Sequence, residues 1–222
     1  MREDNSRTRR SLRLGSPAGL ILAGFCLLLP FLTASCSSEE APRAQWRLSY
    51  TGIDVLTGGR PDVELTDDAD KEPMRRLDDA EVEEFLGAPP ASLPTLPLAW
   101  PAAALLLAAL AATALPSRTW RTTATGGLAL AAAVVLAGAT VLARNDATGV
   151  VASVMSGVFS ERIERPALRE GAVYGEVSDM FRYGWGLWIT LALVAAVGVA
   201  NTVAAVRRPA PVAGEPDSTP VA

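Results

Sequence analysis

Four apolar runs, Pro17–Ser35, Leu93–Leu115, Gly126–Ala143 and Gly184–Val206, interrupt a chain whose charges all fall between them. At about 1.5 Å of rise per residue, each is close to the length a helix needs to cross a hydrocarbon layer of roughly 30 Å. None contains Lys, Arg, Asp or Glu. The pattern predicts an all-α integral membrane protein with transmembrane helices over residues 17–35, 93–115, 126–143 and 184–206. Residues 1–16 and 207–222 read as disordered tails. Residues 36–92 read as an acidic extracytoplasmic loop, 116–125 as a short cytoplasmic loop, and 144–183 as a second extracytoplasmic loop.

Within 36–92, Trp46-Arg-Leu-Ser-Tyr50 alternates apolar and polar, as a half-exposed strand does. Thr51-Gly52 breaks it, and Ile53-Asp-Val-Leu56 reads as a second short strand before Gly58-Gly59, which makes a small hairpin. Asp62–Glu72 is acidic and turn-rich. Asp78–Leu86 reads as a short helix stopped at Gly87, with Val82, Phe85 and Leu86 on one face. The segment is too short for a large core of its own, so a small cap resting on the spans is expected. On that reading, Asp in place of Tyr50 or Ile53 would unsettle it. In 144–183, Val151, Val154, Met155, Val158 and Phe159 make an amphipathic helix along the interface, stopped by Pro166.

Charge orients the spans, because Lys and Arg gather on the cytoplasmic side of short loops. The tail before span one carries Arg2, Arg7, Arg9, Arg10 and Arg13. Residues 36–92 hold 6 basic and 14 acidic residues. The 116–125 loop carries only Arg118 and Arg121, the 144–183 loop is nearly balanced, and Arg207-Arg208 follow span four. Both termini inside the cytoplasm satisfies every junction. Trp100, Tyr183, Trp185 and Trp188 then fall near the outer interface, where amphipathic rings gather. Span two carries Pro101 near its outer start, where a missing N–H costs little. Small residues at four-residue spacing, such as Ala192, Ala196 and Ala200, read as packing seams rather than a pore lining.

The side chains that usually carry chemistry are scarce. The 222-residue chain has no His, which removes the commonest metal ligand and the side chain best suited to proton transfer near neutral pH. A Ser-His-Asp or Cys-His arrangement cannot be built. Gly126-Gly127 lacks the Lys-Ser/Thr of a phosphate loop. Asp67, Asp68, Asp70 and Glu72 match no standard calcium loop and read as a solvated acidic stretch. Glu83 and Glu84 are helical neighbours and point apart. No span holds an ionisable residue, which argues against a proton-coupled transporter. Asn201, with Thr190 and Thr140 behind it, reads as a helix-to-helix hydrogen-bonding group. Cys26 reads as a small buried hydrophobe, and Cys26 and Cys36 lie too far apart on one helix to pair. The expectation is no catalytic residue, no cofactor and no metal.

The first span has a second reading. A basic start, an apolar core and Thr33-Ala34-Ser35-Cys36 approach a bacterial lipoprotein signal cleaved before Cys36. Thr33 stands where Leu is usual, which favours an uncleaved span. Leu-Pro30-Phe31-Leu-Thr33-Ala-Ser35-Cys36, followed by Tyr50-Thr51-Gly52-Ile53-Asp54-Val-Leu-Thr57-Gly58, resembles a group of uncharacterised small bacterial four-span membrane proteins. In them a Pro-Phe-x-x-x-Ser-Cys exit precedes a Thr-Gly-Ile/Leu-Asp/Glu segment that ends in Gly. Tyr174-Gly175 and Tyr183-Gly184 fit the same look. The resemblance implies an architecture, a structured outer loop over a helical bundle, and no activity.

The sequence therefore leads to a non-enzymatic protein of the bacterial plasma membrane, with the lipid bilayer and membrane or envelope proteins as partners and no nucleic acid. Its acidic outer segment would serve interaction or sensing. A component of a transporter or channel complex, and a lipoprotein anchored at Cys36 with three further spans, are the alternatives.

Overall fold

The computed structural model describes residues 16–37, 45–66, 73–86, 92–94, 97–162 and 177–207, without the side chains of 36–37, 45, 85–86 and 153–162. The acidic stretch from Asp67 to Glu72, the Tyr174-Gly175 pair, both tails, and the side chains proposed for the interfacial face at Val154, Met155, Val158 and Phe159 lie outside that description.

Helices occur as α1 (Ser16–Cys26), α2 (Gly52–Thr57), α3 (Asp79–Leu86), α4 (Ala99–Ala112), α5 (Arg118–Arg162), α6 (177–180) and α7 (Trp185–Val206). Strands β1 (Pro30–Ser37), β2 (Gln45–Thr51), β3 (Asp62–Thr66), β4 (Arg75–Arg76) and β5 (Phe181–Tyr183) form one antiparallel sheet in the order β4-β3-β2-β1-β5. The expectation of an all-α chain with four spans is therefore wrong. Among the described residues, two helices, α5 and α7, are long and apolar enough to cross a membrane, while α1 and α4 are shorter apolar helices.

Span one fails at a definite place. The helix stops at Cys26, and Leu27, Leu28 and Leu29 donate to the carbonyls of Gly24, Phe25 and Cys26 in a tightened last turn. Pro30, which has no N–H, then opens β1. The apolarity of Phe31, Leu32 and Ala34 is that of a buried strand, since all three lie in the core under the sheet. A continuous apolar run does not by itself separate such a strand from a span. Span two shortens for a related reason. Leu93 is buried in the cap, its N–H donating to Gly59 O, and regular helix starts only at Ala99.

The expected break near Arg144 is absent. α5 continues for 45 residues, about 68 Å at helical rise, from Arg118 past the polar Arg144-Asn145-Asp146 to Arg162. The 144–162 region thus continues the helix that begins at Arg118 rather than forming a separate amphipathic helix. Ala143, Ala147 and Ala152 of α5 join the core that continues into the sheet.

β2 matches its alternation, with Leu48 and Tyr50 buried and Arg47 exposed between Trp46 and Leu48. Ile53–Leu56 is helix α2 rather than a strand. Thr51 Oγ1 accepts from Asp54 N at 3.2 Å, and Thr51 N donates to Asp54 Oδ2 at 2.8 Å, a reciprocal capping box. Gly58, at φ 75°, ends the helix in the left-handed region. Asp62–Thr66, expected as a turn, is β3, because Val63 pairs across to Leu48 and fills the core. The helix expected at Asp78–Leu86 is α3, with Val82 buried.

The long helices pack antiparallel. A Cβ on Gly198 would meet Leu130, and one on Gly126 would meet Thr202. α1 runs beside α7, Gly19 against Val197 at one end and Leu29 against Gly186 at the other. Ser16, Arg118 and Arg207 consequently share one end of the bundle, and the sheet lies at the opposite end. Two interior clusters result, one of Leu, Ala and Val between the helices, the other running from the sheet down into α5 and α7.

Candidate functional site

The resemblance motifs converge on one knot where the sheet meets the helices. Gly52 N donates to Leu29 O and Ile53 N to Leu27 O, so the start of α2 is stitched to the end of α1. A Cβ on Gly52 would lie 2.8 Å from two atoms of the Phe31 ring and 2.9 Å from Leu27 O. Gly184 N donates to Phe31 O at 2.8 Å, and a Cβ at Gly184 would collide with Pro30 O. Pro30-Phe31, Thr51-Gly52-x-Asp54 and Tyr183-Gly184 are thus three sides of one packed joint. Its chemistry is structural. Tyr50 is buried above it, and desolvation, helped by the nearby Asp54 carboxylate, pushes its hydroxyl far above the usual tyrosine range.

The outward sheet face is polar by register. Side chains of residues paired across neighbouring strands lie on the same face. Arg182, Thr33, Ser49 and Asp62 form one row, and Ser35, Arg47, Glu64 and Arg76 form the next. Arg47 stands 3.6 Å from Glu64, and Arg76 pairs with Asp62. α3 is tied to the segment before β3 by Arg60 to Asp79 at 2.7 Å and to β4 by Arg75 to Glu81. The Arg75 hydrogen bond, and after it the Asp78 N–H, hold the Glu81 carboxyl below its ordinary range. Glu83 and Glu84 are both exposed on α3. Among the described residues, no group of three or more His, Cys, Asp or Glu is placed to hold a metal ion.

A second polar group sits at the sheet end of the bundle. Arg144 is half-buried; one Nη donates to Ser178 O at 2.9 Å, and its guanidinium lies 5.4 Å from the Tyr183 ring centroid. Tyr183 meets Trp188 edge to face at 6.4 Å. Sequence reasoning placed Arg144 as the first residue of a loop. Its available signal was a single cation ending a long apolar run. At the other end of the bundle, Asn201 Nδ2 donates to Ser16 Oγ at 2.9 Å and to Val197 O at 2.8 Å, which joins α7 to α1. Thr190 and Thr140 donate back to carbonyls of their own helices.

Comparison with protein-family models and with curated proteins finds no match for this chain.

Proposed function

We propose that this chain is a non-enzymatic protein of the bacterial plasma membrane, anchored by α5 and α7, whose sheet-capped outer end is an interaction or sensing surface. One observation carries the reading: the apolar helix surface points outward. Only 39% of the apolar stretch of α5 and 28% of that of α7 is buried. The core helix of a water-soluble protein hides such a stretch. Here Phe25 is 65% exposed, Trp100 72%, Val134 73% and Trp185 82%. An outward apolar surface of this extent calls for lipid. Trp188 and Arg207 stand about 28 Å apart along α7, close to a hydrocarbon thickness. Arg118, Arg121 and Arg207 gather at the end away from the sheet, which supports that end, and with it both termini, on the cytoplasmic side. The polar rows of the sheet then face the outside.

The test has two arms. Membranes are washed at alkaline pH, and the protein should stay in the pellet; release into the wash sinks the anchoring. Protein purified in mild detergent is then compared with an Arg47→Glu/Arg182→Glu double variant. A partner lost only in the double variant supports the interaction surface. Identical co-purifying chains in both forms would contradict it.

A further inference from the structure

Part-way along α5, where its long charge-free stretch ends, a cation stands without a counterion among the described residues. A guanidinium offers five N–H donors. Among the described residues Arg144 spends one on Ser178 O and lays its plane near the Tyr183 ring, and its Nε–H is buried with no acceptor. No carboxylate among the described residues pairs with it, although Arg47, Arg60, Arg75 and Arg76 each have one. Its depth is also particular. Arg144 is about 36 Å along α5 from Trp120 at the basic end, so it lies just past one hydrocarbon thickness. Below it on the same helix, Val141 and Leu142 are exposed apolar residues. Beside it, Tyr183 and Trp188 form the aromatic pair, and Trp188 is exposed. A cation under-supplied with acceptors, at headgroup depth and flanked by interfacial aromatics, is suited to a phosphoanion. Such an anion supplies the oxygen acceptors that the described residues do not.

We propose that Arg144 is a phosphoanion-binding residue at the outer interface, and that the anion is presented as the headgroup of an anionic phospholipid. This rests on the membrane reading above. The aromatic rings confine the headgroup laterally, the exposed apolar flank of α5 takes its acyl chains, and the spare Nη hydrogens take its phosphate oxygens.

The full-length protein is placed in nanodiscs of phosphatidylcholine containing a minor fraction of photoactivatable phosphatidylglycerol, and crosslinked peptides are mapped by mass spectrometry. Crosslinks should appear on peptides carrying Arg144 or Tyr183. Arg144→Gln should lower them about fivefold, the equivalent of ~1 kcal/mol per interfacial cation, while crosslinks near Arg118 and Arg121 stay unchanged. Arg144→Lys, which keeps the charge without the fork, should fall between. Inorganic phosphate at matched ionic strength should not compete; competition to the same extent would assign the site to a free anion and overturn the lipid claim. Equal outer-end crosslinking in wild type and Arg144→Gln would also overturn it. If Arg144→Gln does not fold, wild type alone decides: photoactivatable phosphatidylglycerol should exceed photoactivatable phosphatidylcholine about fivefold at the outer end, and equal yields overturn the proposal. Failure of the membrane reading looks different. The protein would then enter no nanodisc and carry no lipid crosslink at either end, and the proposal would fall with it.

Discussion

Glycine-to-alanine substitution should have opposite signs at Gly52, the first residue of α2, and at Gly24, within α1. At Gly52 the new methyl would sit 2.8 Å from Phe31 Cε1 and Cζ and 2.9 Å from Leu27 O. Phe31 is fully buried, and Leu27 O already accepts the Ile53 N–H, so neither neighbour is the free end of a flexible side chain. Making room means moving a packed ring or parting α2 from α1. Overpacking of this kind costs about 1–3 kcal/mol. Loss of the Ile53 to Leu27 and Gly52 to Leu29 hydrogen bonds would add about 1 kcal/mol each. At Gly24, within α1, an added Cβ meets nothing within 4 Å. There alanine gains its helical advantage of about 0.5–1 kcal/mol. Thermal loss of the monodisperse chromatographic peak in detergent should therefore come about 3–10 °C earlier for Gly52→Ala, and at the wild-type temperature or slightly later for Gly24→Ala. Equal shifts at the two positions would refute the joint as a packed structure.

Tyr50→Asp should destabilise the cap by several kcal/mol, because it leaves an unpaired charge in the core, whereas Ile53→Asp should change stability by about 0.5 kcal/mol, since Ile53 is 41% exposed; limited proteolysis in membranes separates the two. The sequence reading treated these residues alike, and the structure divides them. The lowered Glu81 carboxyl gives the α3 tether a pH dependence. A carboxylate held below its ordinary value contributes stability above that ordinary value and loses it as pH falls through the lowered one. Amide protection around 75–82, with the intrinsic pH dependence of exchange divided out, should therefore be higher at pH 6 than at pH 3, and Glu81→Gln should abolish the difference; a pH response of the protection that survives in the variant rules out this cause. The mature protein should keep an N-terminal tag. Cleavage before Cys36 would strip Phe31, Leu32 and Ala34 from the core. Intact mass of a species beginning at Cys36 would contradict this.

What the sequence displayed follows from which physical signals are local. The long charge-free stretches of α5 and α7 identify themselves, because a helix satisfies its own backbone. Trp46–Tyr50 was legible because alternation survives where one face is buried and the other is wet. The capping box of Thr51 and Asp54 went unread, because four apolar-polar residues at 53–56 look equally like strand and like one helical turn. Pro30–Ala34 misled for a different reason. Its partners, Tyr50 and Tyr183, are distant in sequence, and nothing local distinguishes apolarity spent on a sheet core from apolarity facing lipid. Arg144 was visible as a residue but not as a site, since its surroundings come from Ser178, Tyr183 and Trp188 across the fold.

Labelling of single engineered cysteines by a membrane-impermeant maleimide, in a background with Cys26 and Cys36 replaced, tests the central claim most directly. Arg47→Cys on the outward sheet face should react in intact cells. Thr119→Cys, at the basic end of α5, should react only after lysis. Val134→Cys, exposed midway along α5, should resist the aqueous reagent in both conditions and react only once detergent removes lipid. Rapid labelling of Val134→Cys in intact membranes, at the rate of Arg47→Cys, would mean that the apolar face of α5 meets water, and the membrane-anchored account would be wrong.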